Sequence, residues 1–199
     1  GSTDDTPQVL ARYAGRLRSE RHSNMGQART LNRGWAIGQG ALLGYLSSDD
    51  RLAPHAISRL VQCLLERPQV VVAYGDFDLI DASGRLIRTV HTEDFDLERL
   101  TVDVVCQPGA GTLFRREVFD RTGGWSEALH QVPDYEFWLR ASRLGPFARL
   151  PEVLAAYRIH EGSASFRPTA SERSEEIVFA ELEPHGRRRP APVRPRPTR

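Results

Sequence analysis

Two short apolar runs, 41–46 and 70–74, bracket a stretch whose apolar residues recur at helical spacing. That order limits the fold more than any other feature of the chain. The first run, Ala41-Leu42-Leu43-Gly44-Tyr45-Leu46, has the length and continuous apolarity of a buried strand and stops at Ser47-Ser48-Asp49-Asp50. A helix is expected from near Pro54, turning Ile57, Leu60, Val61, Leu64 and Leu65 inward. Val70-Val71-Val72-Ala73-Tyr74 then reads as the clearest strand of the chain. Turn chemistry at Asp81-Ala82-Ser83-Gly84 suits a hairpin return over Leu86 to Val90. Strand, helix, strand in this order argues for an α/β layer containing some parallel pairing.

The flanking segments extend the alternation. Thr6 is an expected N-cap with Pro7 at the first helical position, and Val9, Leu10, Tyr13, Ala14 and Leu17 carry a helix to about Arg18. Asn24-Met25-Gly26 reads as a turn into a second helix, which puts Ala28, Leu31, Trp35 and Ala36 on one face and ends at Gly38 or Gly40. Beyond the hairpin come a short apolar piece at Thr112-Leu113-Phe114, a helix over 116–121 and a turn at Gly123-Gly124-Trp125. Pro133 opens a helix running to Leu144, and Val153 to Ile159 forms a last strand that ends at His160. A weakly amphipathic helix is expected over 171–182. From His185 onward Arg and Pro dominate, a composition that cannot build a core. The expected organisation is therefore one domain over 1–184 and a disordered tail over 185–199.

Composition narrows the function classes. The chain has 199 residues, 27 basic and 26 acidic, and every basic one is arginine. Six arginines fall in the last 13 positions, so the body is mildly acidic and nucleic-acid binding could rest only on the tail. No run approaches the ~20 apolar residues of a membrane span. The polar opening Gly1-Ser2-Thr3-Asp4-Asp5 has no leader pattern, and a cytoplasmic protein is expected. Cys63 sits in a helical apolar pattern and reads as core. Two cysteines make neither a disulfide framework nor a zinc spacing.

Three places could carry chemistry. Asp49-Asp50 follows a buried strand, where open α/β sheets bind ligands, and paired carboxylates offer the hard oxygens that Mg²⁺ or Mn²⁺ prefers. The same pair could simply cap the turn before the next helix. Asp134 lies just inside a helix start, whose dipole favours an ionised carboxylate able to act as a general base; Glu136 competes for that role, and either could be an ordinary first-turn acid. His160, at a strand end, could ligate a metal, contact phosphate or merely be solvated.

Five segments in order resemble the motifs of a family 2 glycosyltransferase with the GT-A fold. Gly1-Ser2-Thr3-Asp4-Asp5-Thr6 is similar to the end of the family's D-D-G-S-T-D-x-T segment. Asn24 to Gly34 resembles its N-x-G-x-(A/S)-x-A-x-N-x-G helix entry, with Thr30 where alanine is usual. Tyr45-Leu46-Ser47-Ser48-Asp49-Asp50 resembles the D-x-D-type metal motif, with Ser47 where an acid or asparagine is frequent. Pro133-Asp134-Tyr135-Glu136-Phe137-Trp138-Leu139-Arg140 resembles the E-D-Y-D-L-W-L-R element, and Tyr157 to Ser165 the closing Y-R-x-H-x-G-S-x-S. The resemblance implies a mixed, mostly parallel sheet flanked by helices, with the family's first strand-helix unit lying before Gly1. It implies donor contacts at Asp49, Asp50 and Arg158, a Mn²⁺ or Mg²⁺ ion at Asp50 and His160, and Asp134 as catalytic base. The implied reaction is inverting transfer of a sugar from a nucleotide-sugar donor to a saccharide or lipid-linked acceptor, in polysaccharide biosynthesis at or near the inner membrane face. No nucleic acid is expected. The alternatives are a non-catalytic remnant of such a domain, or an RNA- or membrane-associating protein acting through its basic tail.

Overall fold

The computed structural model describes residues 1–163 and 176–177. In chain order the elements are α1 (Thr6–Ala11), α2 (Gln27–Ile37), β1 (Leu42–Gly44), β2 (Arg51–Leu52), α3 (Ala56–Glu66), β3 (Val72–Ile80) and β4 (Leu86–Val90). They continue with α4 (Leu97–Val102), β5 (Leu113–Arg115), α5 (Arg116–Thr122), α6 (Pro133–Ala141) and β6 (Phe147–Arg158). The strands form one sheet in the order β1-β5-β3-β6-β2, with β4 also paired to β3.

The strand β3 organises this sheet. One of its edges is shared, with Val72 and Ala73 facing β5 and Phe77 to Ile80 facing β4. The other edge carries β6 in parallel, from Val72↔Phe147 to Ile80↔Arg158. Irregular register around Gly75 and Asp76 lets Leu154 lie against Gly75, where a Cβ would come within 2.6 Å of the leucine side chain. The sheet is mixed as expected, but its parallel character is smaller than expected. Among the strand pairs of the described residues only β3–β6 is parallel, while β1–β5, β2–β6, β3–β4 and β3–β5 are antiparallel. A parallel neighbour needs a crossover of a dozen residues or more, and the helix-bearing path from β3 to β6 supplies it for this pair. The tight Asp81–Gly84 turn instead returns β4 alongside β3, with Gly84 Nα donating to Asp81 O at 2.9 Å.

Both faces of the sheet are covered. Val72 belongs to a core with Trp35 of α2, Val118 of α5 and Phe137 and Trp138 of α6, whereas the next residue, Ala73, belongs to a core with Leu60 and Leu64 of α3. This alternation follows from the two-residue period of a strand. The first core is aromatic: Trp35 stacks on Phe137 at 5.9 Å and meets Phe114 edge-on at 5.3 Å.

Several boundaries differ from expectation. The first helix stops at Ala11, with Asp5 rather than Thr6 at its N-cap. Val9, Tyr13 and Leu17, the apolar face of the longer helix expected, stay 44 % exposed, so this face gives no packing to extend it. On α3 the inward face is Ala56, Leu60, Cys63 and Leu64, leaving Ile57 and Leu65 outside. The helix from Pro133 ends at Ala141, and β6 starts six residues before Val153 because the β3 edge pairs it from Phe147 onward. The two-residue β2 and the short α4 carry no periodic signal and were not expected. The tail over 185–199 and all of the expected 171–182 helix except Glu176 and Ile177 lie outside the described residues.

Candidate active site

The loop after β1 is tied to the end of β6. Arg51 and Leu52 pair with Ala156 and Ala155, which sets Asp50 beside the last residues of that strand. The Arg158 backbone N–H donates to Asp50 Oδ1 at 2.9 Å, and Arg158 Nε donates to the Asp49 carbonyl at 2.8 Å. His160 Nε2 lies 3.0 Å from Asp49 Oδ2. Its Nδ1 accepts the Gly162 N–H at 3.1 Å, so in the neutral ring Nε2 bears the proton and donates to Asp49. Burial pushes the Asp50 carboxyl upward, the Arg158 N–H opposes this, and Asp49 adds repulsion. The three expected residues Asp49, Asp50 and His160 are therefore brought together. Arg158 joins them as a brace, because Nη1 of its guanidinium also donates to the carbonyls of Asp81 and Ala82 at 2.9 and 3.0 Å.

Asp134 is the second residue of α6, and Pro133 fits that first turn because its missing N–H has no partner to lose. The helix start does not dominate its charge state: desolvation pushes the Asp134 carboxyl up, against the N–H of Tyr135 at 2.9 Å. A raised carboxyl is a stronger proton acceptor, as a base requires. Glu136 is excluded from that role. Both of its oxygens are engaged by Arg140, at 2.5 and 2.6 Å, and Arg140 also donates to Thr122 O and Gly124 O. The pair fastens α6 to the turn after α5 and faces away from Asp134.

Two hollows meet at Asp134. One, of about 370 Å³, is walled by Phe77, Leu79 and Val90 together with Asp50. The other, of about 610 Å³, is more polar and is walled by Gln27, Ser48, Asp49, His130 and Gln131. Tyr45, Ser47, Cys106, Asp134 and Tyr157 belong to both. Arg158 and His160 stand behind the acids, outside both walls.

The donor set suits a divalent cation. Asp50 Oδ1 is engaged by the Arg158 N–H, and Asp50 stands on the wall of the smaller hollow as a source of hard oxygen. Among the described residues no three His, Cys, Asp or Glu side chains converge as a ready-made cage, so ligand oxygens would have to complete the coordination.

Sequence reasoning missed four neighbours of the site. Tyr45 is pushed upward by burial and then by Asp134. Cys106 has its thiol pushed up by desolvation and by Asp134. Arg88, on β4, is the cation in the smaller hollow. Glu176 binds the loop before α6. The run 41–46 contained Tyr45 and the hairpin contained Arg88. Neither position has a local pattern that separates a pocket wall from a strand residue.

A mixed sheet covered by helices on both faces, with paired acids after one strand and a buried acid opening a helix, is the layout of a GT-A glycosyltransferase. The sequence model of glycosyl transferase family 2 matches residues 1–123, and the chain belongs to that family. Asp134, Arg158 and His160 lie beyond the matched stretch. The chain is 27 % identical to the chondroitin synthase of Escherichia coli over 171 residues, covering 84 % of the chain and 25 % of that protein. It is also 27 % identical to an uncharacterized glycosyltransferase of Nostoc sp. over 189 residues, covering 88 % of the chain and 58 % of that protein. The chain thus spans a quarter to rather more than half the length of these relatives. Among solved structures, S. aureus TarS in complex with UDP-GlcNAc is similar in fold, with a TM-score of 0.69 and 16 % identity over 92 % of this chain and 54 % of that one. A mannosyltransferase from Pyrobaculum calidifontis in complex with GDP-Man and Mn²⁺ gives a TM-score of 0.58 and 16 % identity over 93 % and 58 %.

Proposed function

We propose that residues 1–184 are the catalytic domain of an inverting glycosyltransferase that moves a sugar from a nucleotide-sugar to a saccharide or lipid-linked acceptor. The observation that supports this most is the meeting of two hollows at Asp134, one for each substrate, with Asp49 and Asp50 on either side. Neighbours in fold bind UDP-GlcNAc or GDP-Man, which favours a nucleotide-sugar donor here as well.

In this reading Asp134 takes the proton from the acceptor hydroxyl. The oxygen attacks the anomeric carbon, the bond to the diphosphate breaks on the opposite face, and the nucleoside diphosphate leaves with inversion. Asp49 and Asp50 orient the ribose and diphosphate, and Arg158 holds both acids in place, its backbone N–H on the Asp50 carboxylate and its guanidinium on the Asp49 carbonyl. A Mn²⁺ or Mg²⁺ ion, when bound at Asp50, would neutralise charge on the leaving diphosphate. His160 can join Asp50 around the ion only by turning its ring away from Asp49. In the arrangement described it orients the Asp49 carboxylate.

Among the described residues no helix is long and apolar enough to cross a membrane. We place the reaction at the cytoplasmic side, with peripheral membrane contact where the acceptor is lipid-linked.

Calorimetric titration of the chain with UDP, GDP and dTDP, with and without Mn²⁺, tests the reading. Metal-dependent binding of one nucleotide supports it and identifies the donor class. A folded chain that binds none of them contradicts it.

A further inference from the structure

Three consecutive backbone N–H groups just before α6 converge on one distant carboxylate. His130 N–H reaches both oxygens of Glu176 at 3.0 Å, and the N–H groups of Gln131 and Val132 reach Oε2 at 2.7 and 3.3 Å. Glu176 is only 4 % exposed. Burying a carboxylate so deeply is unfavourable unless it is fully hydrogen-bonded, and three backbone donors meet that need. Val132 is the N-cap residue of α6 and supplies no side-chain cap of its own, so Glu176 satisfies its N–H together with those of the two loop residues that lead into the helix. The adjacent Ile177 lines the larger hollow and packs against the aromatic core.

Asp134 follows Val132 by two residues. Any freedom in the 130–132 loop therefore becomes freedom in the carboxylate that the two hollows share. We propose that Glu176 is a positioning residue for Asp134: it grips the backbone of residues 130–132 from 44 to 46 positions downstream, and Ile177 lines the hollow beside it. This role rests on the reading of Asp134 as the base. The grip itself can be read without turnover.

The test compares the full chain with Glu176→Gln, which keeps one acceptor oxygen and loses the charge, and Glu176→Ala, which loses both. Amide hydrogen exchange reports the grip, carbon NMR titration of the Asp134 carboxyl reports its surroundings, and kcat against donor KM reports catalysis. In Glu176→Ala the amides of 130–132 should exchange at least tenfold faster while those of β3 are unchanged. The Asp134 titration should move towards an ordinary carboxylate, further than in Glu176→Gln. With a donor identified, kcat should fall at least tenfold with donor KM within twofold, and Glu176→Gln should recover part of the loss.

Unchanged exchange at 130–132 would overturn the grip. Equal Asp134 shifts in the two variants would mean that charge, not position, links the residues, and would overturn the proposal. So would faster exchange with kcat unchanged. Should the parent chain transfer no sugar, the reading of Asp134 as base fails, while the exchange and titration arms still decide whether Glu176 places its carboxyl.

Discussion

Asp134 and Asp50 have the same chemistry and shifts in the same direction, yet separate roles follow from what each one touches. Asp134 stands where both hollows meet, so Asp134→Asn should lower kcat by 10²-fold or more, the usual scale for loss of a general base, with nucleotide affinity nearly unchanged in calorimetry. Asp50→Ala should instead weaken Mn²⁺-dependent nucleotide binding itself. Because burial raises the Asp134 carboxyl, the acidic limb of the kcat profile should lie above the ordinary aspartate value of about 3.9. The sign for stability is opposite to that for a salt-bridged acid. The folded chain holds this proton more tightly than the unfolded one, so stability declines as pH rises from the ordinary aspartate value through the raised one. Asp134→Asn removes that penalty and should melt no lower than the parent at pH 7, which differential scanning calorimetry can check. Asp49, Asp50, Asp134, Arg158 and His160 were all legible as candidates, because each lies in a local motif. Glu176 was not, since its partners are backbone N–H groups 44 to 46 positions away and backbone carries no sequence signal.

At the level of elements, α6 shows how a short helix is held accurately. Its inner face buries Phe137 and Trp138, and its outer face is bolted to the turn after α5 by the Glu136–Arg140 pair. The side chains of that pair are only 6 % and 15 % exposed, so Arg140→Met should cost about 3–5 kcal/mol by leaving Glu136 charged and alone. Equilibrium urea unfolding would show it as a lower midpoint. The same turn is gripped from the opposite side by Asn32 of α2, whose amide donates to Trp125 O and accepts Trp125 N–H, both at 2.8 Å. Asn32→Ala should cost about 1–3 kcal/mol for the groups it strands. Long elements were legible where one face is apolar, as in α2 and α3. The hairpin was legible from its turn residues. By contrast, β2 has two residues and exists because β6 offers an edge. The six-residue α4 is capped by Asp96, whose side chain accepts the Arg99 N–H at 3.1 Å, a local cue too short to build a period. The first helix was overread for the complementary reason: its spacing is helical, but none of its residues is buried.

Across the whole molecule, residues far apart in sequence converge because β3 and β6 pair in parallel over nine residue pairs, with the register shifting at Asp76. That ladder carries Arg158 at the end of β6, and His160 just after it, back to Asp49 and Asp50. The α/β class was readable from the order of apolar runs, whereas the balance of parallel and antiparallel pairing was not, since it depends on which edges meet in space. The distribution of the two thiols has a practical consequence. Cys63 is sealed inside the α3 core, and Cys106 lies on the wall common to both hollows, exposed as a residue but with its sulfur desolvated and turned onto Pro108 O. Its raised thiol will react slowly near neutral pH and faster in mild alkali. A maleimide fluorophore should therefore attach at one place, with nucleotide or acceptor slowing the attachment, and the native chain would carry its own optical gauge of site occupancy without an engineered handle.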